Sequence, residues 1–575
     1  MTIKAAVMAY GEESVNLILP ENESQQIKNK VDGCPLVVLN QRQLCDLEML
    51  LSGAYNPLSG FMNQADYESV LNQSTLANGL LWTIPVVLDI SNQQLDTITN
   101  NKQIGLCDHE GFMLAIMDIE SIWPVNKDNE ADIIYGTRDQ EHPGVRYLYN
   151  EVKDNYIGGR VKGIQLPIHY DFESLRNTPA DLHEAFRKKG WNKVMAFHTS
   201  KPMHRVHHEI TTRAAKSVGA NILIHPVAGV SKPGDMAYYS RVHCYQAIQH
   251  YYPNNMAMVS LLPLAMRMAG PREAVLNMII RQNYGCSHFL VGPEHASPPG
   301  LREGGKRFYE RYSAQKLVGQ YQDKLDIQMV PIQELGYSKN NRAFVNCKDV
   351  QDRSDIETYN ENNLNDDLEH DRVIPDWYSF PEVIEELGKI RLSRKRKGFT
   401  LFFTGLSGSG KSTLAKLAYA RFIEQGGGRP VTLLDGDVVR QNLSSELGFS
   451  KEHRDLNVKR IGFVASEITK NRGIAICAPI APYREIRRQV RELIEQHGAF
   501  IEIHVATPLE VCEQRDRKGL YAKARKGLVK NFTGISDPYD IPEAPEIRID
   551  TSSMSPTEAA QEIMLYLFRE GYLDQ

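Results

Sequence analysis

Residues 404–413 read Thr404-Gly405-Leu406-Ser407-Gly408-Ser409-Gly410-Lys411-Ser412-Thr413, which is the spacing G-x-x-x-x-G-K-S. An apolar run, Phe399–Phe403, precedes them, and the helical pattern Leu414-Ala415-Lys416-Leu417-Ala418 follows. Strand, glycine loop and helix in that order make a phosphate cradle, because loop N–H groups and the positive end of the helix dipole face one anion. The candidate ATP-binding residues are therefore Gly405, Leu406, Ser407, Gly408, Ser409, Gly410, Lys411, Ser412 and Thr413. Lys411 is placed for the outer phosphates and Ser412 for a magnesium ion. A second buried-strand pattern, Pro430–Leu434, ends in Asp435-Gly436-Asp437-Val438-Val439-Arg440. Carboxylates at the C-terminal end of a strand sit where open α/β sheets take ligands. They can hold magnesium or accept a proton from an attacking hydroxyl. Lys411, Asp435 and Asp437 are the candidate catalytic residues, and Ser412 and Asp437 the candidate metal ligands.

A second cluster lies at His198-Thr199-Ser200-Lys201-Pro202-Met203-His204-Arg205-Val206-His207, after the strand-like run Lys193–Phe197. Imidazoles three residues apart on a helix share one face. They could bind metal, donate to phosphate oxygens, or be ordinary surface histidines. The lack of a third nearby ligand and of an H-E-x-x-H pattern favours phosphate over zinc.

The elements around these clusters change character along the chain. Up to about residue 170, short apolar runs such as Pro35–Leu39 and Trp82–Leu88 alternate with turn residues, a mostly β pattern. From 171 the runs Lys193–Phe197, Asn221–His225, Met256–Leu262 and His288–Val291 alternate with helical stretches, which predicts a parallel α/β sheet. Residues 337–372 are polar, rich in Asn and Asp, and read as irregular chain. The basic stretch 391–397 reads as a solvated linker rather than a nucleic-acid patch, since no aromatics are interleaved. The expected organisation is an α/β multidomain protein with parts 1–170, 171–390, 391–397 and 398–575.

With 575 residues, 42% hydrophobic, 24% charged and a net charge of −5, the chain has the composition of an ordinary multidomain protein. Its mild acidity gives no bulk attraction for nucleic acid or anionic membrane. The eight cysteines are scattered without C-x-x-C pairs, so zinc and redox motifs have no support, and free cytosolic thiols are expected. The N-terminus lacks a signal-peptide pattern, and no apolar run approaches membrane-spanning length. A cytoplasmic location is expected.

The C-terminal part resembles adenylylsulfate kinase. The resemblance rests on Asp435–Arg440, Leu447-Gly448-Phe449-Ser450, Arg454, Asn457, Lys459-Arg460-Ile461-Gly462, Ile480-Ala481-Pro482-Tyr483-Arg484, Lys518–Arg525 and Asn531-Phe532-Thr533-Gly534-Ile535 with Asp537-Pro538-Tyr539 following, and it covers about 398–575. It implies transfer of the γ-phosphoryl group of ATP to the 3′-hydroxyl of adenosine 5′-phosphosulfate (APS), giving PAPS. The implied APS-binding residues are Arg440, Phe449, Arg454, Asn457, Ile480, Ala481, Lys518 and Phe532. Arg515 joins the implied ATP site, and 515–532 becomes a basic lid. Many relatives carry serine where Ala481 stands, so phosphorylation at that position is excluded here.

Upstream, about 1–390 resembles ATP sulfurylase, on Leu51–Met62, Leu223–Gly229 with Lys232–Asp235, and Leu261–Ala274. This implies a PUA-like β-rich domain followed by a Rossmann-like nucleotidyltransferase domain, with sulfate attacking the α-phosphorus of ATP. The implied nucleotide site comprises Thr199, Lys201, His204, Arg205, His207, Gly292 and His295. Departures fall on the chemistry. Ser200 stands where the family carries arginine, Lys201 where it carries asparagine, and Gly292-Pro293-Glu294 lacks a second arginine. The family's late S-G-T/S-x-x-R turn is replaced by Tyr359-Asn360-Glu361-Asn362-Asn363-Leu364-Asn365. A serine cannot hold an oxyanion bidentately as arginine does. The expectation is an active kinase behind a sulfurylase-like domain of weakened or retuned activity. The alternatives are a fully bifunctional enzyme, or a C-terminal domain that only senses nucleotide. ATP, Mg2+, APS and sulfate are the implied ligands, and self-association is expected.

Overall fold

The computed structural model describes residues 9–11, 16–24, 34–99, 101–229, 236–253, 255–299, 305–390, 393–425, 428–448, 450–516, 519–529 and 531–573, with the side chains of Met236, Ala237, Ile390, Gln425 and Asp437 left out. It divides into two compact units, Met1–Asn360 with Ile374–Ile390, and Glu361–Val373 with Arg391–Gln575.

The first unit holds two main sheets. Strands β1 (Leu36–Val38), β2 (Gly60–Phe61), β3 (Leu88–Ile90), β4 (Gln103–Cys107), β5 (Met113–Pro124) and β6 (Asn155–Gly163) form a sheet of order β1-β4-β5-β6-β2, with β3 also on β6. Only the β1–β4 pair is parallel. Trp82 and Tyr55 are fully buried beneath it, edge to face at 5.8 Å. The run Trp82–Leu88 joins the sheet only from Leu88. Pro85 has no N–H for a ladder, and the Trp82 indole donates locally to the Ile84 carbonyl at 2.8 Å.

The second sheet is wholly parallel: β7 (Val194–Phe197), β8 (Asn221–Ile224), β9 (Ala257–Val259), β10 (His288–Val291) and β11 (Gln328–Pro331), in the order β11-β10-β7-β8-β9. The chain leaves β7 toward β8 and β9, then returns to β10 on the other side of β7. The topological switch point therefore lies between β7 and β10, where such sheets open a crevice for ligands. The helix Gly270–Asn283 is buried almost throughout. It anchors the β-rich part through Asn283, whose amide donates to the carbonyls of Ala54 and Asn56 at 3.0 and 2.9 Å. A buried ion pair, Arg267 to Asp46 at 2.5 Å, ties the same two parts together.

The expectation of irregular chain over 337–372 is corrected. Strands β12 (Leu335–Ser338) and β13 (Ala343–Asn346) pair as an antiparallel hairpin, and Glu361–Glu369 is helical. Tyr337 stacks on Trp377 at 4.7 Å, so a few aromatics order a polar segment. Leu364, on that helix, is buried in the second unit.

The second unit carries a parallel sheet of β14 (Phe399–Thr404), β15 (Val431–Asp435), β16 (Ile474–Ala478), β17 (Ala499–Val505) and β18 (Ile547–Ile549), in the order β15-β16-β14-β17-β18. The run Phe399–Phe403 is buried on both faces, as expected of a central parallel strand. Helices Lys411–Gln425, Lys451–Lys470, Arg484–Glu495 and Pro556–Arg569 cover the faces. In the basic stretch 391–397, Arg394, Lys395 and Arg396 are exposed to solvent. Ser393 is buried, and Arg394 donates to the Glu570 carbonyl at 3.1 Å, so this basic stretch packs on the unit. Among the described residues, no helix is long and apolar enough to cross a membrane.

Candidate active sites

The glycine loop leaves β14 at the middle of its sheet. Gly405, Gly408 and Gly410 have φ of 150°, 76° and 107°. A Cβ on Gly405 would stand 2.5 Å from the Val505 carbonyl oxygen, so a larger residue there is excluded by backbone and not merely by strain. Thr507 and Thr551 hydroxyls donate to the Ser409 carbonyl at 3.0 and 2.9 Å, fixing the loop's base. Lys411, buried at the start of its helix, donates to the carbonyls of Gly405 and Leu406 at 2.9 and 2.7 Å. The ammonium thus lies inside the loop, already desolvated where phosphates would replace those carbonyls. Ser412 and Thr413 are exposed at the loop exit. Ser409 Oγ is buried with no hydrogen-bond partner. Arg515 donates to the hydroxyl and carbonyl of Thr551 at 2.7 and 2.8 Å, beside the loop. The Tyr521 hydroxyl reaches the Ser407 carbonyl at 2.8 Å, so the expected lid already touches the loop. One of its basic residues, Arg525, is paired with Glu513 at 2.7 Å.

Asp435 is the last residue of β15, beside Ala478 of β16. The Asp437 side chain, Phe449 and Lys518 lie outside the described residues. Of the remaining residues of the implied APS set, Ile480 and Ala481 follow β16 directly, Arg454 and Phe532 contact residues between 521 and 537, and Arg440 bonds the 447–448 segment. The Thr404 hydroxyl, fully buried, donates to the Ile480 carbonyl at 2.8 Å and contacts the Tyr539 hydroxyl at 3.0 Å. Ala481 is buried at φ 45°, its carbonyl held by Arg487 at 2.7 Å. Arg440 donates to the Leu447 and Gly448 carbonyls at 3.0 and 3.3 Å. Arg454 binds Asp537 at 2.6 Å, the Thr533 hydroxyl at 2.9 Å and the Asn531 carbonyl. Tyr483 donates to the same Asp537 oxygen at 2.6 Å. Phe532 packs edge to face on Tyr521 at 4.9 Å. Asn457 Oδ1, on the helix Lys451–Lys470, is buried without a partner. Orphaned buried polar atoms at both the loop and this wall are the features a bound ligand would satisfy. Sequence patterns alone assigned no role to Asp537, Tyr483, Arg487 or Thr551. Only Asp537 and Tyr483 fall within runs that the resemblance singles out.

In the first unit, the expectation that His204 and His207 share a helix face is corrected. The helix is Arg205–Val218, and His204 precedes it as the capping residue. His204 Nδ1 bonds the Ser379 hydroxyl at 2.8 Å and its ring packs on Tyr378 at 4.7 Å. His207 Nδ1 accepts from the His204 N–H at 3.0 Å. Burial, more than their mutual repulsion, pushes His204 down to about 3. Burial, then Lys201, takes His207 to about 4. Both are neutral at physiological pH. Arg205 lies over the Phe380 ring at 4.4 Å and donates to the Ser379 carbonyl at 3.0 Å. Thr199 and Lys201 form a tight turn after β7, with the Thr199 hydroxyl on the Lys201 carbonyl at 3.0 Å. Gly292 follows β10 directly, where a Cβ would touch the Ile332 side chain at 3.5 Å, and His295 lies three residues further on, its ring 5.0 Å from that of His198. Thr199, Lys201, Gly292 and His295 thus gather at the switch point, while His204 and Arg205 are engaged by the 378–380 segment. The motif Lys232–Asp235 lies outside the described residues.

A glycine loop between a central parallel strand and a helix, with a carboxylate at the neighbouring strand's end, defines a P-loop phosphotransferase fold in the second unit. In the first, a β-rich part joins a doubly wound domain with polar groups at its switch point. Residues 7–166 match the PUA-like domain family, 173–390 the ATP-sulfurylase family and 397–550 the adenylylsulphate kinase family. The chain belongs to the family of fused ATP sulfurylase and adenylylsulfate kinase proteins. It is 45% identical over 556 residues to a sulfate adenylyltransferase of Phaeosphaeria nodorum, covering 96% of each chain. It is 43% identical over 553 residues to that of Neurospora crassa, again covering 96% of each. Among solved structures it is similar to a hexameric APS kinase from Thiobacillus denitrificans, with 36% identity, a TM-score of 0.79, and coverage of 99% of this chain and 100% of that one.

Proposed function

We propose that the second unit transfers the γ-phosphoryl group of ATP to the 3′-hydroxyl of APS, giving PAPS and ADP. The observation that carries this is the complete phosphate loop with Lys411 buried against its carbonyls, in one unit with the Arg454–Asp537–Tyr483 cluster. In the transfer, the 3′-oxygen bonds to the γ-phosphorus as the bridge to the β-phosphate breaks, and the hydroxyl proton passes to a carboxylate. Asp435 and Asp437 are the carboxylates available for that proton. Phosphoryl transfer depends on positioning and on neutralising charge, which Lys411 and the loop N–H groups supply. Ser412 and Asp437 are oxygen donors of the class that holds Mg2+ alongside phosphate oxygens, and the ion would add charge neutralisation. Arg440, Arg454, Asn457, Phe532, and by resemblance Phe449 and Lys518, hold APS.

Adenylyl transfer to sulfate by the first unit is the second reading. The fungal relatives, 43–45% identical across 94–96% of the chain, carry the name sulfate adenylyltransferase. Those names favour the bifunctional alternative over the expectation that the changes at 200, 201, 293 and 359–365 leave the domain weakened or retuned. The eight free cysteines agree with a cytosolic setting, and the hexameric neighbour supports self-association.

Two assays on the purified chain test both readings. ADP release from ATP and APS is expected, and its absence rejects the kinase. Pyrophosphate release from ATP and sulfate is expected under the second reading; its absence leaves the kinase standing alone. A further prediction concerns Arg454. Arg454→Met removes a charged, hydrogen-bonded group worth about 1.5–3 kcal/mol, so the KM for APS rises about ten- to a hundred-fold while the KM for ATP holds. A parallel rise in both constants would mean that Arg454 only supports the fold.

A further inference from the structure

Ser379 is 4% exposed and lies just before the helix Pro381–Ile390, 175 positions downstream of His204. The segment around it grips the neighbouring pair His204-Arg205 by backbone and side chain. The Tyr378 carbonyl accepts from the Arg205 backbone N–H at 3.2 Å. The Ser379 carbonyl accepts from Arg205 Nε at 3.0 Å, and the Phe380 ring lies 4.4 Å from the guanidinium. The two terminal nitrogens of Arg205 are left without a partner among the described residues. Phe380 is itself fixed, packed on the Tyr251 ring at 3.9 Å, and the Tyr251 hydroxyl donates to Glu382 at 2.5 Å.

The Ser379 hydroxyl meets His204 Nδ1 at 2.8 Å and has no other partner among the described residues. A buried hydroxyl keeps its one proton bonded, so Ser379 donates and Nδ1 accepts. The His204 proton therefore sits on Nε2. His207 Nδ1 accepts from the His204 N–H at 3.0 Å, so its proton sits on Nε2 as well. Both rings are neutral at physiological pH, since burial holds His204 down to about 3 and His207 down to about 4. Neither Nε2–H has a partner among the described residues. A neutral imidazole carries one proton and presents either a donor or a lone pair at Nε2. Without the Ser379 hydroxyl, His204 is free to carry that proton on Nδ1. Nε2 would then turn a lone pair toward any phosphate oxygen, which repels instead of binding. The Tyr378 ring, 4.7 Å from the His204 ring, hinders the ring from turning to compensate.

We propose that Ser379 is a positioning residue for the nucleotide of the first unit: its hydroxyl keeps His204 an Nε2–H donor, and its carbonyl holds the Arg205 guanidinium with both ends free for the triphosphate. That role rests on the adenylyl-transfer reading. It gives the 378–380 segment a part in the reaction although none of its own side chains need touch the nucleotide.

The test is a double-mutant cycle on the full-length chain, with Ser379→Ala, His204→Ala and the two combined, and with Ser379→Thr as the variant that keeps the hydroxyl. The readout is kcat/KM for ATP in sulfate-dependent pyrophosphate release, with a thermal melt of each chain. Ser379→Ala is expected to lower kcat/KM about five- to ten-fold, the worth of one hydrogen bond. In the His204→Ala background the same change has no further effect, because the side chain through which it acts is gone. Ser379→Thr stays within about two-fold of wild type, and ADP formation from APS is unchanged in both single Ser379 variants. Wild-type kcat/KM in Ser379→Ala overturns the proposal. So does an equal loss with and without the His204 ring, which is what a merely structural serine gives, or a Ser379→Thr chain as impaired as Ser379→Ala with an unchanged melt. Equilibrium binding of α,β-methylene-ATP, with Lys411→Ala in every chain to weaken the phosphate loop, repeats the cycle without turnover. If wild type releases no pyrophosphate, the adenylyl-transfer reading fails, and this binding cycle alone decides whether Ser379 acts through His204.

Discussion

Lys411→Ala lowers kcat for ADP formation from ATP and APS by about a thousand-fold, the upper range for removing one preorganised charge stabiliser. The loop is built around this side chain. Its ammonium is buried and held by the Gly405 and Leu406 carbonyls at 2.9 and 2.7 Å. Without nucleotide it neutralises carbonyl dipoles. With nucleotide it meets the phosphates, where charge spreads onto oxygen during transfer. Alanine keeps the helix, because it is the best helix former and the loop's base is fixed by Thr507 and Thr551. The loss therefore falls on kcat rather than on folding. Steady-state ADP release alongside thermal melting separates the two. Near-normal turnover with an unchanged melt would show that this loop is not where phosphoryl transfer occurs.

Arg487→Met destabilises the second unit by about 3 kcal/mol, the lower end for breaking a buried ion pair by removing one partner. Arg487 Nε pairs with Glu502 on β17 at 2.9 Å, with side chains only 4% and 11% exposed. Its other nitrogens donate to the Ala481 and Asp540 carbonyls, each at 2.7 Å. One side chain thus fastens to the sheet the two segments that carry Tyr483 and Asp537, the partners of the cluster with Arg454. The cost stays near the lower end because Arg491 remains 3.6 Å from Glu502 and keeps it partly compensated. With a urea dependence of about 2 kcal/mol/M, the midpoint for loss of kinase turnover falls by about 1.5 M. The KM for APS should also rise, since Ala481 loses its carbonyl partner. A urea midpoint within error of wild type would show that Arg487 carries no structural load.

The strands and the loop were legible because their signals are local. Phe399–Phe403 and Lys193–Phe197 are short apolar runs bounded by turns, and a glycine loop is defined by spacing. The polar segment 337–372 was not legible. Its hairpin and helix depend on Tyr337 stacking on Trp377 and on burial of Leu364, contacts between residues far apart in sequence or held by another element. His204 and His207 misled for a related reason. Their spacing allowed a shared helix face, but the chain starts its helix one residue later, and Ser379 and Tyr378, about 175 residues downstream, take His204 as a partner.

By itself the sequence determined which groups are present and in what local order: a loop with Lys411 at its exit, Asp435 at a strand's end, and a turn at 198–201 that lacks a guanidinium. Periodicity and steric demand are properties of neighbours along the chain, so they survive without coordinates. Only the tertiary structure decided how charges are paired. It set Arg454 against Asp537, Arg487 against Glu502, and Arg281 among neutral histidines with no carboxylate paired to it among the described residues. Those outcomes depend on distance and desolvation between segments tens to hundreds of residues apart, and no spacing in a single chain records them.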